Sequence, residues 1–346
     1  MRRQDLEFTY PECLVATQPQ EPCRVALCMA GQGPQEINKN QLFQQFKPGD
    51  VVVINDTQVD KRRVFAGDLE ILFVRAVSDL EWEVLFSARD LKIGQSVVLP
   101  GDLQMTLLAK GLPQRVQLST AIGEKYFDQY AEFALPPYIQ KARGQRHSRP
   151  EDQRWYQTQW AQNAGSSAAP TASLHFKNED WQTLRERGVH VLPLTLHVGI
   201  GTFLPIKTED LSQHVMHEEW VSIPIATQRA ITQARQSGHR VWALGTTVTR
   251  ALESWGHHLL QPNEDGEMIG PTRLFIQPGH QFKIVTDLMT NFHQPGSTLL
   301  ALVATFAGLE RVREVYAWAI ENKFRLFSYG DLSVWRGSIT TDGIKS

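Results

Sequence analysis

The sequence predicts an α/β protein. A discontinuous α/β/α domain with a largely parallel sheet is expected from residues 1–60 and 150–346, with a small β-barrel domain inserted at 61–149. Three observations carry this. After residue 177, strand-like and helix-like segments alternate, the pattern of a parallel sheet covered on both faces. Between Lys61 and about Thr120 no helical period occurs, and short strand-like runs are separated by Gly94, Pro100-Gly101-Asp102 and Gly111-Leu112-Pro113. Many short strands at close turns suggest a barrel or sandwich. Finally, apolar runs on both sides of this insert end in polar or small residues.

The elements follow in order. Leu42 to Phe46 reads as a short amphipathic helix, broken by Pro48-Gly49. Asp50 to Ile54 is a buried strand ending in Asn55-Asp56-Thr57. In the insert, strands are expected at Leu69–Val74, Trp82–Phe86, Ser96–Leu99, Leu103–Leu108 and Arg115–Leu118. Residues 121–135 look helical, and Leu135-Pro136-Pro137 cannot continue that helix. Lys141 to Arg149 reads as a basic loop. Glu179–Arg187 is a helix with Gly188 placed as its cap, and Val189–Leu196 a strand. Ala226–Gln236 is a helix, His239–Leu244 a strand and Val248–Ser254 a helix. Strands are expected at Thr272–Ile276, Leu288–His293 and Phe324–Tyr329. Helices are expected at Leu299–Ala307, capped by Ser297, and Glu310–Asn322.

Bulk properties narrow the function classes. The 346 residues are 42% hydrophobic and 21% charged, with a formal net charge of −2. A nucleic-acid partner would therefore be held by a local patch. Three cysteines, Cys13, Cys23 and Cys28, make no disulfide framework and no zinc set, and point to a reducing compartment. The N-terminus lacks a signal-peptide pattern, and the longest apolar run, Leu299 to Ala307, is far short of the roughly 20 residues a spanning helix needs. A cytoplasmic protein without a membrane partner is expected.

Four segments end in groups able to do chemistry: Asn55-Asp56-Thr57, His197-Val198-Gly199, Gly245-Thr246-Thr247 and Asn291-Phe292-His293. If their strands are parallel, these ends share one sheet edge, where open α/β sheets bind ligands. His175 follows Thr171-Ala172-Ser173, and His197 precedes Gly199-Ile200-Gly201-Thr202. Each histidine by itself reads more readily as a satisfied core or turn residue than as a functional one. Strand, Gly245-Thr246-Thr247 and helix together form the anion-binding geometry of a helix start, with Arg250 one turn in. No P-loop, GxSxG or metal set occurs, and Gly199-Ile200-Gly201 lacks the third glycine of a dinucleotide fingerprint. These residues give a polar cleft but no reaction.

The ordered segments VVVINDT (51–57), LPPYI (135–139), YQT (156–158), AAPTASLHF (168–176), TLHVGIGTF (195–203), MHEEW (216–220), LGTTVTRALES (244–254), LFIQPG (274–279), LMTNFHQPGSTLLALVATFAG (288–308) and FSYGD (327–331) span nearly the whole chain. In that order they resemble the S-adenosylmethionine:tRNA ribosyltransferase-isomerases of queuosine biosynthesis. The resemblance implies a discontinuous α/β domain with an inserted barrel, and a monomer. It also implies a reaction. The ribosyl part of S-adenosylmethionine passes to 7-aminomethyl-7-deazaguanine in tRNA, adenine and methionine leave, and epoxyqueuosine results. S-adenosylmethionine is then a consumed substrate, and no further cofactor or metal is implied.

That chemistry needs a base to take a proton beside the sulfonium and an acid to help adenine leave. His175, His197, His293 and Asp56 are the catalytic candidates. Asn55, Thr57, Arg63, Thr171, Gly199, Gly201, Thr202, Thr246, Thr247, Arg250, Asn291, Tyr329 and Asp331 are candidates for substrate binding, with Asp331 also behind the histidines as acid or base. Lys61, Arg62, Lys141, Arg143 and Arg146, together with Arg63, are candidates for tRNA backbone contacts. The chain departs from the family pattern at Gln58 (usually Arg), Asp60-Lys61 (Ile-Pro), Ser173 (Gly), Val248-Thr249 (Ser-Val) and Gln277 (Tyr). These departures leave open a different deazapurine acceptor or a non-catalytic tRNA- or nucleoside-binding role.

Overall fold

The structure, a computed structural model, describes residues 1–87, 91–199, 201, 206 and 208–337. Strands β1 (Val25–Met29) and β2 (Gln35–Ile37), helix α1 (Lys39–Phe43) and strand β3 (Val51–Asn55) precede the insert. The chain continues through β4 (Thr57–Val59), β5 (Arg63–Ala66), β6 (Leu69–Ala76), β7 (Glu81–Leu85), β8 (Ser96–Leu99), β9 (Leu103–Ala109) and β10 (Gln114–Leu118). It returns through α2 (Glu124–Tyr130), α3 (Pro137–Arg143), α4 (Asp152–Trp155) and β11 (Asn163–Ser166). Then come α5 (Asn178–Glu186), β12 (His190–Leu196), β13 (Glu219–Ile223), α6 (Ile225–Gln236), β14 (Val241–Leu244) and α7 (Thr246–Gly256). The last elements are β15 (Gln261–Pro262), β16 (Met268–Thr272), β17 (Asp287–Asn291), α8 (Thr298–Ala307), α9 (Leu309–Glu321) and β18 (Leu332–Arg336).

The main sheet has the order β15-β16-β13-β12-β3-β14-β17-β18-β1-β2. Its centre, β12-β3-β14-β17, is parallel. Every residue of β3, β14 and β17 is buried, which is why these strands read as continuous apolar runs and not as alternation. Side chains still alternate between faces. Val52, Ile54, Trp242 and Leu244 pack with Trp181 and Leu184 of α5, and Val51, Val53 and Ala243 pack with Ile231 of α6 and Leu252 of α7. Truncating a core side chain as large as Trp181 costs about 3–5 kcal/mol.

Outside this centre the pairing is antiparallel except between β1 and β18, so the continuous parallel block is the four strands that matter for the site. The reason at β18 is topological. Helices α8 and α9 pack together as a hairpin and return the chain to the edge it left. The next strand must then run back, and Leu332 pairs with Asn291. The strand expected at Phe324–Tyr329 is therefore irregular chain crossing that edge, with β18 after it. Likewise β16 ends at Thr272, where a strand to Ile276 was expected, and α3 carries Lys141 and Arg143, which were expected in a loop. Pro137 sits at the start of α3, where its missing N–H costs nothing.

The insert forms the antiparallel order β5-β6-β7-β10-β9-β8, with β5 beside β8 so that the sheet nearly closes. Strand β10 alternates buried and exposed residues along its whole length. The interior holds Val64, Ile71, Phe73, Val84, Met105 and Val116, with Phe127 of α2 packed against them.

Candidate active site

Because β12, β3, β14 and β17 are parallel neighbours, the four polar strand ends lie along one edge. A cavity of about 420 Å³ opens there. Val198, Gly245, Thr246, Thr247, Asn291 and His293 line it from the strand ends, and residues 168–172 line it from the segment before α5. Gly245 takes φ +97°, a left-handed value that turns β14 sharply into α7. Its N–H donates to Met289 O (2.7 Å), tying that turn to β17. No side chain caps the start of α7. Ser297 caps α8 by accepting from Leu300 N at 3.1 Å, and it lines the same cavity. Two helix starts, with their positive ends, thus converge on one space.

The three histidines differ in setting. His293 lines the cavity, and its Nε2 lies 2.8 Å from Thr290 Oγ1. Its backbone N–H donates to the Tyr316 hydroxyl (2.8 Å). Burial pulls its imidazole down to about 3. His175 stands behind the lining. Its Nε2 faces Asn291 Nδ2 at 3.1 Å, and Asn291 Oδ1 accepts from Thr171 Oγ1 at 2.9 Å. Burial pulls this imidazole down to about 4, against the opposing carboxylate of Asp331. His197 is half-buried, with Nδ1 2.9 Å from Thr57 Oγ1. Burial lowers it too, opposed by Asp60 and Asp56. All three imidazoles are therefore neutral at pH 7.

Other residues of the strand ends brace this edge. Asn55 donates to Leu196 O (2.9 Å) and accepts from Leu196 N (3.1 Å), locking β3 to β12. Asp56 accepts from Thr195 Oγ1 at 2.6 Å. Gly199 N donates to Glu219 Oε1 at 3.0 Å, and the other carboxylate oxygen of Glu219 pairs with Arg250. Arg250 is thus buried support for the turn after β12, and does not line the cavity. Gly201 backs onto His217, whose ring a Cβ there would strike at 2.5 Å. Thr202 lies outside the described residues. Asp331 accepts from Arg24 N and Arg325 N, and it pairs with the Arg325 guanidinium. Tyr329 is buried, and its hydroxyl donates to Asp152 at 3.3 Å.

The cations are placed unevenly. Arg63 is buried at the root of the barrel, facing Glu132 at 3.3 Å and Glu70 at 3.5 Å. Arg143 is equally enclosed. Its Nη1 and Nη2 hold Asp152 through two bonds of 2.7 and 2.8 Å, and its Nε and Nη2 donate to Thr17 O. Burial alone would push the Asp152 carboxyl up, but the hydrogen bonds from Arg143 and Arg149 N–H hold it below the usual range. Neither arginine is presented to a phosphate. Arg62 grips Glu124 with two bonds and also pairs with Asp60. Lys141, with Glu12, and Arg146, with Glu70, are exposed. Lys61 is half-buried, with Nζ 5.9 Å from the Phe133 ring.

Several residues of the site were not singled out from sequence. Tyr138, Tyr156, Phe292 and Phe327 give the cavity aromatic walls. Phe327 is a non-glycine residue at φ +70°, and such strain concentrates at functional sites. Glu219 would have needed its partner, Arg250, to be noticed. Of the family departures, Gln58 is exposed, and neither Gln58, Ser173 nor Gln277 lines the cavity. Among the described residues, Glu253, His257 and His280 group as metal ligands would. Their donors are already spent locally: Glu253 accepts from Lys283, Ile284 and Val285 N–H, and His257 Nε2 lies 3.0 Å from Gln281 O. The group clamps a turn, and none of it lines the cavity.

Comparison with known proteins follows the same outline. The family described as Queuosine biosynthesis protein matches residues 3–334. A curated protein of Syntrophotalea carbinolica, named S-adenosylmethionine:tRNA ribosyltransferase-isomerase, is 40% identical over 349 residues, covering 96% of this chain and 98% of that protein. Proteins of the same name from Caldanaerobacter subterraneus and Dinoroseobacter shibae are each 38% identical with the same coverage. A crystal structure of S-adenosylmethionine tRNA ribosyltransferase from Thermotoga maritima superposes with a TM-score of 0.54 at 27% identity. It covers 96% of this chain and 99% of that one.

Proposed function

This chain belongs to the queuosine biosynthesis protein family, and from that premise we propose that its cavity is where the ribosyl group of S-adenosylmethionine is transferred and isomerised onto 7-aminomethyl-7-deazaguanine in tRNA. Adenine and methionine leave, and epoxyqueuosine remains in the tRNA. S-adenosylmethionine is consumed, and no separate cofactor takes part. The observation that carries the reading is the origin of the cavity wall. Every described lining residue comes from a segment that resembles the family: 135–139, 156–158, 168–176, 195–203, 244–254, 288–308 and 327–331.

The roles follow from chemistry. The sulfonium acidifies the C–H beside it, and a neutral imidazole can take that proton. His293 is the histidine on the cavity wall, so it is assigned as the base. His175 and Asn291 form a hydrogen-bonding unit behind it that orients the ligand. The unpaired amides at the start of α7, with Thr246 and Thr247, hold the methionine carboxylate. The flat faces of Tyr138, Phe292 and Phe327 take a purine. Exposed Lys141 and Arg146, with Lys61, contact the tRNA backbone. The departures from the family pattern lie off the cavity wall, which favours the standard acceptor over a different one. A cytoplasmic monomer fits this role, and among the described residues no helix is long and apolar enough to cross a membrane.

The test is incubation with S-adenosylmethionine and tRNA carrying the deazaguanine precursor, with mass analysis of the tRNA nucleosides and of free adenine. Adenine release coupled to epoxyqueuosine is expected. Binding without release of adenine would instead mark a binding protein, and release without change in this tRNA would mark another acceptor.

A further inference from the structure

Thr290 and His293 stand three residues apart at the end of β17. Thr290 is the last residue but one of that strand and is buried. Its main chain is fixed from β18, because its carbonyl accepts from Ser333 Oγ at 2.9 Å. The strand ends at Asn291, and the His293 ring then meets it again: Nε2 lies 2.8 Å from Thr290 Oγ1. The main chain of His293 is held separately, by the Tyr316 hydroxyl. Among the described residues, Thr290 is thus the one hydrogen-bonding group that acts on the ring itself.

The two ring nitrogens therefore differ. Thr290 occupies Nε2. Nδ1 makes no hydrogen bond among the described residues, yet it is not sealed in, and the residue lines the cavity. The nitrogen free to meet a ligand is Nδ1. A neutral imidazole carries one proton and one lone pair, so a base acting through Nδ1 must keep its proton on Nε2. A threonine hydroxyl accepts as well as donates, and can receive that N–H. When the C–H beside the sulfonium breaks, its electron pair stays on the carbon next to the positive sulfur, and the proton passes to Nδ1. The ring becomes an imidazolium, and its Nε2–H bond to Thr290 Oγ1 becomes charge-assisted. An interaction that strengthens as the proton moves raises kcat and leaves substrate binding alone.

We propose that Thr290 is the positioning residue of His293, its hydroxyl holding Nε2–H so that the lone pair of Nδ1 faces the substrate. The inference rests on the function proposed above, with His293 as base, and the experiment separates the two. Thr290→Val keeps the branched shape and removes the hydroxyl, while Thr290→Ser keeps the hydroxyl. Epoxyqueuosine formation on precursor-bearing tRNA gives kcat and the KM for S-adenosylmethionine, and thermal melts report folding. Nitrogen-15 NMR of histidine-labelled protein at pH 7 reads the tautomer, with the His293 signals identified by their loss in His293→Gln. Wild type should carry the proton on Nε2 and none on Nδ1. Thr290→Val should lower kcat about tenfold to a hundredfold with KM unchanged, and Thr290→Ser should recover most of the loss. A proton on Nδ1 in wild type would overturn the inference, and this measurement decides it even where Thr290→Val does not fold. Near-normal kcat in folded Thr290→Val would also overturn it and leave the enzymatic reading standing. So would a raised KM with kcat unchanged, since Thr290 would then touch the substrate itself, and so would Thr290→Ser as slow as Thr290→Val, since shape and not the hydroxyl would matter. Wild-type protein that forms no epoxyqueuosine would defeat both.

Discussion

Asn291 Nδ2 lies 3.1 Å from His175 Nε2, while the Oδ1 of the same amide accepts from Thr171 Oγ1 at 2.9 Å. The Gly330 carbonyl, which can only accept, takes a bond from the same Nδ2 at 3.4 Å and so fixes which end of the amide faces the histidine. Nε2 must then be an acceptor, so the imidazole is neutral with its proton on Nδ1. This agrees with the burial that pulls His175 down to about 4. Asn291→Asp reverses the pattern by offering an oxygen where a donor stood. Turnover is expected to fall roughly tenfold to a hundredfold, the scale of a misdirected hydrogen bond at a reacting site. Asn291→Ala should fall comparably. Steady-state rates of epoxyqueuosine formation check this, and near-normal rates in both variants would remove the unit from the site.

Arg143 and Arg146 sit three residues apart and should behave oppositely. The side chains of Arg143 and Asp152 are 1% and 0% exposed. Removing one partner of such a pair strands a buried charge and costs about 3–5 kcal/mol. Arg143→Ala is therefore expected to lower the melting temperature strongly. Arg146→Ala and Lys141→Ala should leave stability unchanged and weaken tRNA binding, each reducing the slope of log affinity against log salt by about one. Thermal melts and salt-dependent binding read the two effects separately.

His293 makes stability depend on pH. Its folded value is pulled down to about 3 by burial, from 6.5 when exposed. Between those values the unfolded chain binds a proton that the folded chain does not. The contribution is therefore complete above pH 6.5 and is lost progressively as pH falls towards 3. His175 acts in the same sense towards about 4. Melting temperatures should fall between pH 7 and pH 4.5, and His293→Gln should fall less steeply over that window. Parallel curves for the two proteins would contradict the assignment of a buried neutral imidazole.

Barrel closure can be checked at Phe127. Its ring contacts Phe73 and Trp82 edge-on at 5.2 and 5.5 Å, sealing the insert from α2. Phe127→Ala should cost about 3–5 kcal/mol if the protein unfolds as one unit. Denaturant titration followed by tryptophan fluorescence reads this, because Trp82 reports the barrel core.

The legible parts of the sequence and the hidden ones differ for physical reasons. Strands β3, β14 and β17 read clearly because burial on both faces leaves a continuous apolar run, and their polar ends stand out against it. Strand β18 was displaced from its expected place because the α8–α9 hairpin, a tertiary feature, decides where the chain re-enters the sheet. The barrel strands were legible from turn residues and alternation, except β5, which is short and carries Arg63. Cation clusters were visible as such, but their partners were not. Arg143 meets Asp152 nine residues on, and Arg63 meets Glu132 across 69 positions. Only the fold shows that these two arginines are spent internally.

The central claim is that the edge shared by β12, β3, β14 and β17 carries out ribosyl transfer with His293 as base. A single-turnover reaction, comparing wild type with His293→Ala on precursor-bearing tRNA, tests it most directly. Wild type should yield adenine, methionine and epoxyqueuosine in equal amounts, and the folded variant should still bind S-adenosylmethionine but release essentially none of the three. Near-normal product from His293→Ala, or no tRNA product from wild type, would contradict the account.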